Sequence, residues 1–462
     1  MLVPAHVFRE YDIRGVADRE LSSDLIRSIG EEFGAMLVEE GAKEKTLRIA
    51  VGCDCRLSSP RIFQALSEGL MGAGVDVVDV GVGPTPLLYF AVHHLGADGG
   101  IMITGSHNAG DENGLKLMKG KASFFGDDIR RLRDRVALPI PSTAQRKGSL
   151  TSIDLSKAYV DRLCEGIDLS GSGLKVVVDA GNGSAGPLGL AALCQAGLDP
   201  DPLFCEMDGT FPNHHPDPTV VDNLAPLIAR VKATHGSVGI AWDGDGDRLG
   251  AVDASGEIVW GDKLMVLFAR DVLQKRPGAA ILGEVKCSQT LYDDIKKHGG
   301  RAILWKTGHS NIKTKMKEEG ALLAGEMSGH LFFADRYFGY DDGIYGALRL
   351  LQILAESKKT MRELLVDLPR TFVTPEIRVD CPDDVKFEVV ERVRERYRKD
   401  HEVIDVDGAR ILFGEGAWGL VRASNTGPVL VLRFEAKSEA RRDELRAQVE
   451  RTVAEERKAL TG

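Results

Sequence analysis

The chain has few cysteines and no long apolar run, and these two absences exclude several classes of protein. No uninterrupted apolar segment approaches the roughly 18 residues of a transmembrane helix, and Met1–Glu10 lacks the apolar stretch of a secretory signal. Seven cysteines, widely spaced in 462 residues, argue against a disulfide scaffold and against a thiolate metal site. We therefore expect a cytoplasmic protein without membrane contact.

A surplus of positive charge is also missing. Lys and Arg number 59 against 69 Asp and Glu, which gives a net charge of −10. This balance excludes an extensive nucleic-acid surface, and an anionic small substrate would need cations gathered locally. The apolar share of 43% is ordinary for a globular chain, and 462 residues suggest about three domains. We expect a monomer or small homo-oligomer.

Short apolar runs recur in the same order three times, as expected for buried parallel strands. The predicted strands are Leu47–Val51, Val75–Val80 and Gly100–Ile103 in the first unit, Leu174–Val178, Pro202–Cys205 and Val238–Trp242 in the second, and Ala279–Leu282, Ala302–Trp305 and Ala321–Ala324 in the third. Helical sequence lies between the first two strands of each unit, at Arg61–Gly72, Pro187–Gly197 and Thr290–His298. Three related α/β domains follow from this repeat.

The segment after about residue 370 breaks the repeat. Strand-like runs there surround a helix at Val385–Arg398, and a terminal helix carries Leu445, Val449 and Val453 on one face. We therefore predict three similar α/β domains with mixed, mainly parallel sheets and a smaller C-terminal α+β domain around a central cleft. The predicted domains are 1–150, 151–256, 257–369 and 370–462.

A polar, glycine-bearing loop follows the third strand of each unit. The loops are Thr104-Gly-Ser-His-Asn108, Asp243-Gly-Asp-Gly-Asp-Arg248 and Gly325-Glu-Met-Ser-Gly-His330. Any one of these loops, taken alone, is equally consistent with an ordinary connection between two secondary-structure elements. Because ligands bind beyond the carboxyl ends of parallel strands, three such loops in register predict one shared cleft.

The second loop has the composition of a cation site. Asp243, Asp245 and Asp247 repel one another unless a cation lies among them, and the intervening glycines let the backbone aim them at one point. An EF-hand would require Gly and Glu where Arg248 and Ala254 stand. The alternative is a solvated acidic turn. Oxygen ligands favour a hard ion, above all Mg²⁺.

Ser106 becomes a candidate phosphoryl carrier through its place in the repeat. Alone, such a serine is more often a cap or turn residue. Beside a divalent ion and basic groups, its hydroxyl is suited to phosphoryl transfer, and Lys116 is a nearby candidate cation or proton carrier. A solvated lysine is the alternative interpretation of Lys116.

Two further segments have competing interpretations. Gly181-Asn-Gly-Ser-Ala-Gly186 is a complete G-x-G-x-x-G after a predicted strand, so an NAD-dependent oxidoreductase is one alternative, although the acidic loop of the same unit is a poor neighbour for a pyrophosphate. Arg422–Pro428 is either a phosphate-binding turn or a plain hairpin turn.

Taken together, these loops resemble the α-D-phosphohexomutase superfamily, most closely its bacterial phosphomannomutase/phosphoglucomutase branch. The resemblance spans the chain from Phe8–Gly15 to Arg422–Pro428. It implies reversible phosphoryl transfer between the 1- and 6-positions of mannose and glucose phosphates, through a phosphoserine and a 1,6-bisphosphate. Mg²⁺ and glucose 1,6-bisphosphate would be the cofactors, and hexose phosphates the substrates.

The resemblance also implies the site residues. Ser106 would be the phosphoserine, with His107, Lys116 and Arg14 as catalytic neighbours and the last two assisting proton transfer. Ser106, Asp243, Asp245 and Asp247 would hold Mg²⁺. The substrate-binding residues would be Tyr11, Arg248, Lys286, His309, Glu326, Met327, Ser328, Gly329, His330, Arg422, Ala423, Ser424, Asn425 and Thr426. Glu326 and Ser328 would grip sugar hydroxyls, and residues 422–426 would bind the phosphate that is not transferred.

The chain departs from the family pattern at two positions. Ala109 stands where proline is common, and Glu112 where an aromatic residue is frequent; we expect these to alter loop stiffness rather than chemistry. Met327 and Asn425 resemble the phosphomannomutase/phosphoglucomutase branch more than phosphoglucosamine mutases. A phosphoglucosamine mutase and a metal-dependent sugar phosphatase remain alternatives.

Overall fold

A computed structural model describes residues 3–41, 46–138, 146–425 and 427–461. The first domain contains strands β1 (Ile13–Val16), β2 (Arg48–Cys53), β3 (Asp76–Val82), β4 (Gly99–Ile103), β5 (Glu112–Lys119), β6 (Ala122–Phe124) and β7 (Leu150–Ser152). Its α-helices are α1 (Ala17–Glu20), α2 (Ser23–Glu40), α3 (Ser59–Gly72), α4 (Thr85–Leu95) and α5 (Asp127–Ala137), after a 3₁₀ turn at Ala5–Val7.

The second and third domains have fewer elements. The second contains β8 (Val176–Asp179), β9 (Asp201–Leu203), β10 (Val238–Trp242), β11 (Leu249–Asp253) and β12 (Ile258–Val259), with α6 (Ser156–Leu163), α7 (Gly186–Gln195), a 3₁₀ turn (Val221–Leu224) and α8 (Ala225–Thr234). The third contains β13 (Ala280–Glu284), β14 (Arg301–Trp305), β15 (Leu323–Gly325) and β16 (Leu331–Phe333), with α9 (Gly261–Lys275), α10 (Gln289–Lys297), α11 (His309–Glu319), α12 (Gly343–Ser357) and α13 (Met361–Leu364).

The three sheets share one strand order, which confirms the predicted repeat. The neighbouring strands are β3-β2-β4-β5 in the first, β9-β8-β10-β11 in the second and β14-β13-β15-β16 in the third. In each set the first three strands are parallel and the fourth is antiparallel. Each of the three polar loops therefore joins a parallel strand to the antiparallel strand beside it, at the same edge of its sheet.

The fourth domain is the smaller α+β unit that the sequence predicts. Its strands are β17 (Phe372–Val373), β18 (Ile377–Asp380), β19 (Glu402–Ile404), β20 (Ala409–Leu412), β21 (Trp418–Ala423) and β22 (Val429–Ala436), and its helices are α14 (Lys386–Tyr397) and α15 (Glu439–Thr461). The strand pairings are antiparallel. Leu445, Val449 and Val453 of α15 are buried, as their spacing predicts.

Packing between domains fixes the positions of the loops. Helix α4 of the first domain packs on α6 of the second, and α12 of the third packs on α6 and α7. One apolar core runs through all three domains and includes Phe90, Trp242 and Leu331. The fourth domain docks on the third through Arg410, which is fully buried and donates to the carbonyl oxygens of Val285 and Cys287 at 2.6 and 2.9 Å.

The boundaries between domains stay predictions. Strand β7 pairs with β3 of the first sheet, and β12 pairs with β11 of the second. Within the described ranges, no helix is long and apolar enough to cross a bilayer.

Candidate functional site

Ser106 lies in the loop between β4 and β5, buried and held in a left-handed backbone conformation. Its φ is +51°, a region that a non-glycine residue rarely adopts and that often marks a functional position. The Ser106 amide donates to Thr104 Oγ1 at 2.7 Å. Its hydroxyl lies 3.1 Å from Asp243 Oδ2 and 3.2 Å from His107 Nδ1. The serine loop of the first domain thus meets the acidic loop of the second.

The three aspartates of the acidic loop are fully buried. Asp243, Asp245 and Asp247 each offer an oxygen within 4.8 Å of the others. Lys116, on β5, donates to Asp245 Oδ2 at 2.7 Å and to Asp247 Oδ2 at 2.6 Å. Although burial opposes its charge, these carboxylates raise the pKa of Lys116, so the lysine is a stable ammonium group here.

The lysine neutralises only part of this loop. Burial raises the pKa of Asp243 well above its ordinary value, and the charges of Asp247 and Asp245 raise it further. Burial also raises the pKa of Asp245, but Lys116 outweighs that effect and the net pKa is lowered. Lys116 thus pairs directly with Asp245 and Asp247, whereas the cation paired with Asp243 is Arg248, whose Nε lies 3.8 Å from Asp243 Oδ2.

The loop fits a bound divalent cation. Asp245 Oδ1 and Asp247 Oδ1 are buried, and neither has a hydrogen-bond partner among the described residues. Buried carboxylate oxygens are ordinarily paired, and an unpaired cluster of them is suited to a hard metal ion. Gly246, with φ of +72°, supplies the turn that brings Asp245 and Asp247 together.

The third-domain loop joins the acidic loop through backbone and side-chain contacts. Leu249 N donates to Gly329 O at 2.9 Å, and Arg248 pairs with His330 in an isolated antiparallel bridge. Arg248 Nε donates to His330 Nε2 at 3.0 Å. Gly329 has φ of +94°, and a Cβ there would lie 2.4 Å from Leu249 O, so the close approach requires glycine.

Glu326, in the same loop, is buried, and both of its carboxylate oxygens accept hydrogen bonds. Its Oε1 accepts from Gly308 N at 2.6 Å and its Oε2 from Ser328 Oγ at 3.4 Å. The neighbouring Met327 N donates to Glu284 Oε1 at 3.3 Å. A carboxylate and a hydroxyl on one turn can bind adjacent hydroxyls of a ligand, because the carboxylate accepts hydrogen bonds and the hydroxyl both donates and accepts them.

The third and fourth domains meet at a further group of charged side chains. Lys286 Nζ lies 3.2 Å from Glu376 Oε2. Asp407 Oδ2 accepts from Arg422 Nε at 3.1 Å and from Thr307 N at 3.0 Å. Ala423 ends β21, the Ser424 amide donates to Val429 O at 2.9 Å, and Thr426 lies outside the described residues.

Tyr11 of the first domain contacts both the third and the fourth domain. Its hydroxyl donates to Thr307 O at 3.1 Å and accepts from Asn425 Nδ2 at 2.9 Å. Burial raises the pKa of Tyr11 to about 12, so the phenol stays protonated. The ring of His309 lies 6.2 Å from that of Tyr11 and 5.8 Å from that of His330.

Arg14 and His107 complete the surroundings of Ser106. Arg14 donates to Asn108 Oδ1 at 2.7 Å and to Asp12 Oδ2 at 2.6 Å. Desolvation lowers the pKa of His107 well below its ordinary value, and the charges of Arg248 and Arg14 lower it further. His107 is thus a neutral imidazole beside the serine hydroxyl.

The glycine motif at 181–186 serves close packing of loops. A Cβ at Gly183 would lie 2.8 Å from Gly244 O, to which Ser184 donates through its amide at 2.9 Å and its hydroxyl at 3.0 Å. The backbone of the acidic loop therefore fills the space in which a dinucleotide pyrophosphate would lie.

Sequence reasoning missed the buried carboxylate of Asp341, which lies beside His330. Asp341 is fully buried, with its Oδ2 3.1 Å from His330 Nδ1 and its Oδ1 3.1 Å from Lys313 Nζ. Asp247, His330 and Asp341 also meet the geometric requirement for a shared cation. The available signal was the pair Asp341-Asp342 before the apolar helix α12: Asp342 caps that helix, and Asp341 pairs with Lys313 and His330.

Models of four domain families match the chain in order. They are described as phosphoglucomutase/phosphomannomutase alpha/beta/alpha domain I at residues 5–137, domain II at 157–256, domain III at 260–372, and the C-terminal domain at 376–452. The chain belongs to the phosphoglucomutase/phosphomannomutase family. Three of the four matched models are described as alpha/beta/alpha domains, in agreement with the strand order that the first three sheets share.

Full-length relatives and a solved structure agree with this family. The phosphomannomutase/phosphoglucomutase of Pseudomonas putida is 45% identical over 439 residues, 95% of this chain and 93% of that protein. The phosphoglucomutase of Neisseria gonorrhoeae is 43% identical, covering 94% of each chain. A phosphoglucomutase/phosphomannomutase family protein from Burkholderia thailandensis superposes with a TM-score of 0.91 at 41% identity, covering 98% of each chain.

Proposed function

We propose that this phosphohexomutase reversibly moves a phosphoryl group between the 1- and 6-positions of glucose and mannose phosphates. Family membership and 45% identity to a phosphomannomutase/phosphoglucomutase support the reaction class. The structural observation that supports this reaction is the 3.1 Å contact between Ser106 Oγ and Asp243 Oδ2. This contact puts a nucleophilic hydroxyl against a candidate cation site.

Asp243, Asp245 and Asp247 would hold Mg²⁺, together with an oxygen carried on Ser106. All three carboxylates are buried, and oxygen-only ligation suits this ion. When bound, Mg²⁺ neutralises negative charge that develops on the transferred group. Lys116 already holds two of these carboxylates in place at 2.7 and 2.6 Å.

The chemistry consists of two matching transfers. In the first, the bond between phosphorus and Ser106 Oγ breaks and a bond from phosphorus to the free sugar hydroxyl oxygen forms; that hydroxyl gives its proton to a base in the site, and Ser106 Oγ takes up a proton. In the second, after the bisphosphate turns over, the bond between its other phosphorus and the sugar oxygen breaks and that oxygen takes up a proton, while Ser106 Oγ gives up its proton and is phosphorylated again. The neutral imidazole of His107 has its Nδ1 3.2 Å from Ser106 Oγ, and Lys116 and Arg14 are the neighbouring cations.

The sugar would bind through groups that make no contact with the 2-hydroxyl, the position at which glucose and mannose differ. Glu326 and Ser328 lie on one turn and would bind the 3- and 4-hydroxyls in either orientation of the ring. Such contacts do not distinguish the two configurations of the 2-hydroxyl. The enzyme should therefore act on both sugars.

A coupled assay tests this proposal. With Mg²⁺ and a trace of glucose 1,6-bisphosphate, we expect conversion of both glucose 1-phosphate and mannose 1-phosphate, with kcat/KM values within about 10³-fold of each other. A larger preference would refute the dual specificity. Steady release of inorganic phosphate without isomerisation would instead identify a phosphatase.

Arg422→Ala is expected to weaken sugar-phosphate binding by about 10²-fold while leaving Mg²⁺ affinity unchanged. Arg422 lies against Asp407 in the fourth domain, on the wall proposed to bind the phosphate that is not transferred. Calorimetric titration with glucose 1-phosphate and, separately, Mg²⁺ measures both affinities.

The matched control is Arg392→Ala, because Arg392 is a half-buried arginine on α14 of the same domain and pairs with Glu388. It should change neither affinity. Equal losses of sugar-phosphate and Mg²⁺ affinity in Arg422→Ala would count against a phosphate-binding role.

We also propose that the enzyme resides in the cytoplasm. All seven cysteines are free thiols, as is usual where thiols are kept reduced.

A further inference from the structure

Arg56 lies directly behind the Ser106 loop and uses all of its side-chain hydrogen bonds there. Its side chain is buried, and its Nε donates to Asp54 Oδ2 at 3.0 Å. The other four N–H groups donate to backbone carbonyls, those of Ser106 (2.8 Å), Asn108 (2.6 Å), Ala109 and Glu112 (2.9 Å). A guanidinium group has five N–H donors, and here each of them has a partner.

These carbonyls belong to the segment that carries the nucleophile. Ser106 is in the left-handed region, which disfavours residues with a side chain unless the surroundings hold them. The planar guanidinium fixes the direction of carbonyls both at Ser106 and beyond it. A Cβ at Gly105 would lie 2.6 Å from the guanidinium carbon of Arg56, so the loop is fitted around this side chain.

The second domain closes the other side of Arg56. The ring of Phe211 stacks with its centroid 5.1 Å from the guanidinium carbon. A Cβ at Gly209 would lie 2.3 Å from Cys55 O, so the backbone of this second-domain loop lies directly on the segment that carries Arg56. Arg56 is therefore fixed both by its own domain and by the domain that supplies the acidic loop.

We propose that Arg56 is a positioning residue that sets the direction of Ser106 Oγ for phosphoryl transfer; this inference rests on the proposed function. Arg56 has no N–H group left for a substrate phosphate and is 1% exposed. Its effect must therefore pass through the loop. Lysine keeps the charge but has three donors in a different geometry, so it cannot reproduce the five contacts.

Arg56→Lys is the decisive variant. We expect Ser106 phosphorylation by glucose 1,6-bisphosphate, followed by intact-mass spectrometry, to slow by about 10²-fold, because small displacements of a nucleophile have effects of this size. The Kd of glucose 1-phosphate, measured by calorimetry, should change by less than about threefold. Amide hydrogen exchange across residues 104–113 should become faster.

Arg349→Lys is the matched control. Arg349 is also fully buried and pairs with two aspartates, Asp335 at 2.8 Å and Asp271 at 2.9 Å, but it lies on α12 of the third domain. It should lower the melting temperature as Arg56→Lys does, with the phosphorylation rate and the exchange of residues 104–113 unchanged. If Arg56→Lys does not fold, Phe211→Leu removes only the covering ring and should slow phosphorylation to a smaller extent.

Two results would overturn the inference. One is phosphorylation of Arg56→Lys within about threefold of wild type; the other is a loss of glucose 1-phosphate affinity that matches the loss of rate, which would make Arg56 a binding residue. Failure of the proposed function looks different, since wild type itself would then not be phosphorylated. The exchange of residues 104–113 would still decide whether Arg56 orders the loop.

Discussion

Replacing Ser106 with alanine is expected to abolish mutase turnover, with a loss of at least about 10⁴-fold. The variant loses the hydroxyl that lies against Asp243, and with it the atom that carries the phosphoryl group between the two transfers. The coupled assay with glucose 1-phosphate measures the loss. Binding of glucose 1-phosphate, measured by calorimetry, should persist because Glu326, Ser328 and Arg422, which we propose to bind the sugar phosphate, lie in the third and fourth domains.

Ser67→Ala is the control for this prediction. Ser67 is also a buried serine of the first domain, on α3, and its hydroxyl has no hydrogen-bond partner among the described residues. It should retain full activity. Turnover of Ser106→Ala within about tenfold of wild type would show that another residue accepts the phosphoryl group.

Two substitutions in the acidic loop are expected to separate metal binding from stability. Without metal, Asp243→Asn should unfold at a temperature no lower than wild type, because burial and the neighbouring Asp247 and Asp245 raise the pKa of Asp243 and make its ionisation costly. Asp245→Asn should be destabilised by about 1–3 kcal/mol, since Lys116 loses one of its two carboxylate partners. Thermal unfolding without Mg²⁺ measures both effects.

Both variants should lose the stabilisation that Mg²⁺ gives wild type, because a ligand that binds the native state raises its stability only where it binds. Both should also lose most turnover. Equal destabilisation of the two metal-free variants would contradict the charge distribution described for this loop. A full Mg²⁺-dependent rise in melting temperature in either variant would place the cation elsewhere.

The sequence predicted the fold well because buried parallel strands are short apolar runs. The run Val238–Trp242 coincides with β10, and the other predicted strands of the three repeats overlap observed ones within a few residues. The position of each loop followed from the repeat, since strands in equivalent positions end at the same edge of their sheets. The proximity of the serine and acidic loops was therefore predictable before any distance was known.

The buried charges behind the site were not predictable in the same way. Arg56 contacts carbonyls 50 to 56 residues away in the chain, and backbone carbonyls leave no mark on the amino-acid sequence. Asp341 depends on Lys313 and His330, which lie on different elements of the third domain. Periodicity identifies apolar faces, whereas a buried ion pair depends on tertiary contacts that a single sequence does not encode locally.

The hydroxyl of Tyr11 touches the third domain at Thr307 and the fourth at Asn425. Any rotation of the fourth domain away from the first must break the contact with Asn425, whereas the contact with Thr307 need not change. The hydrogen bonding of this one hydroxyl therefore changes with any opening of the fourth domain away from the first. A fluorine-substituted Tyr11 would report that opening by NMR, independently of turnover.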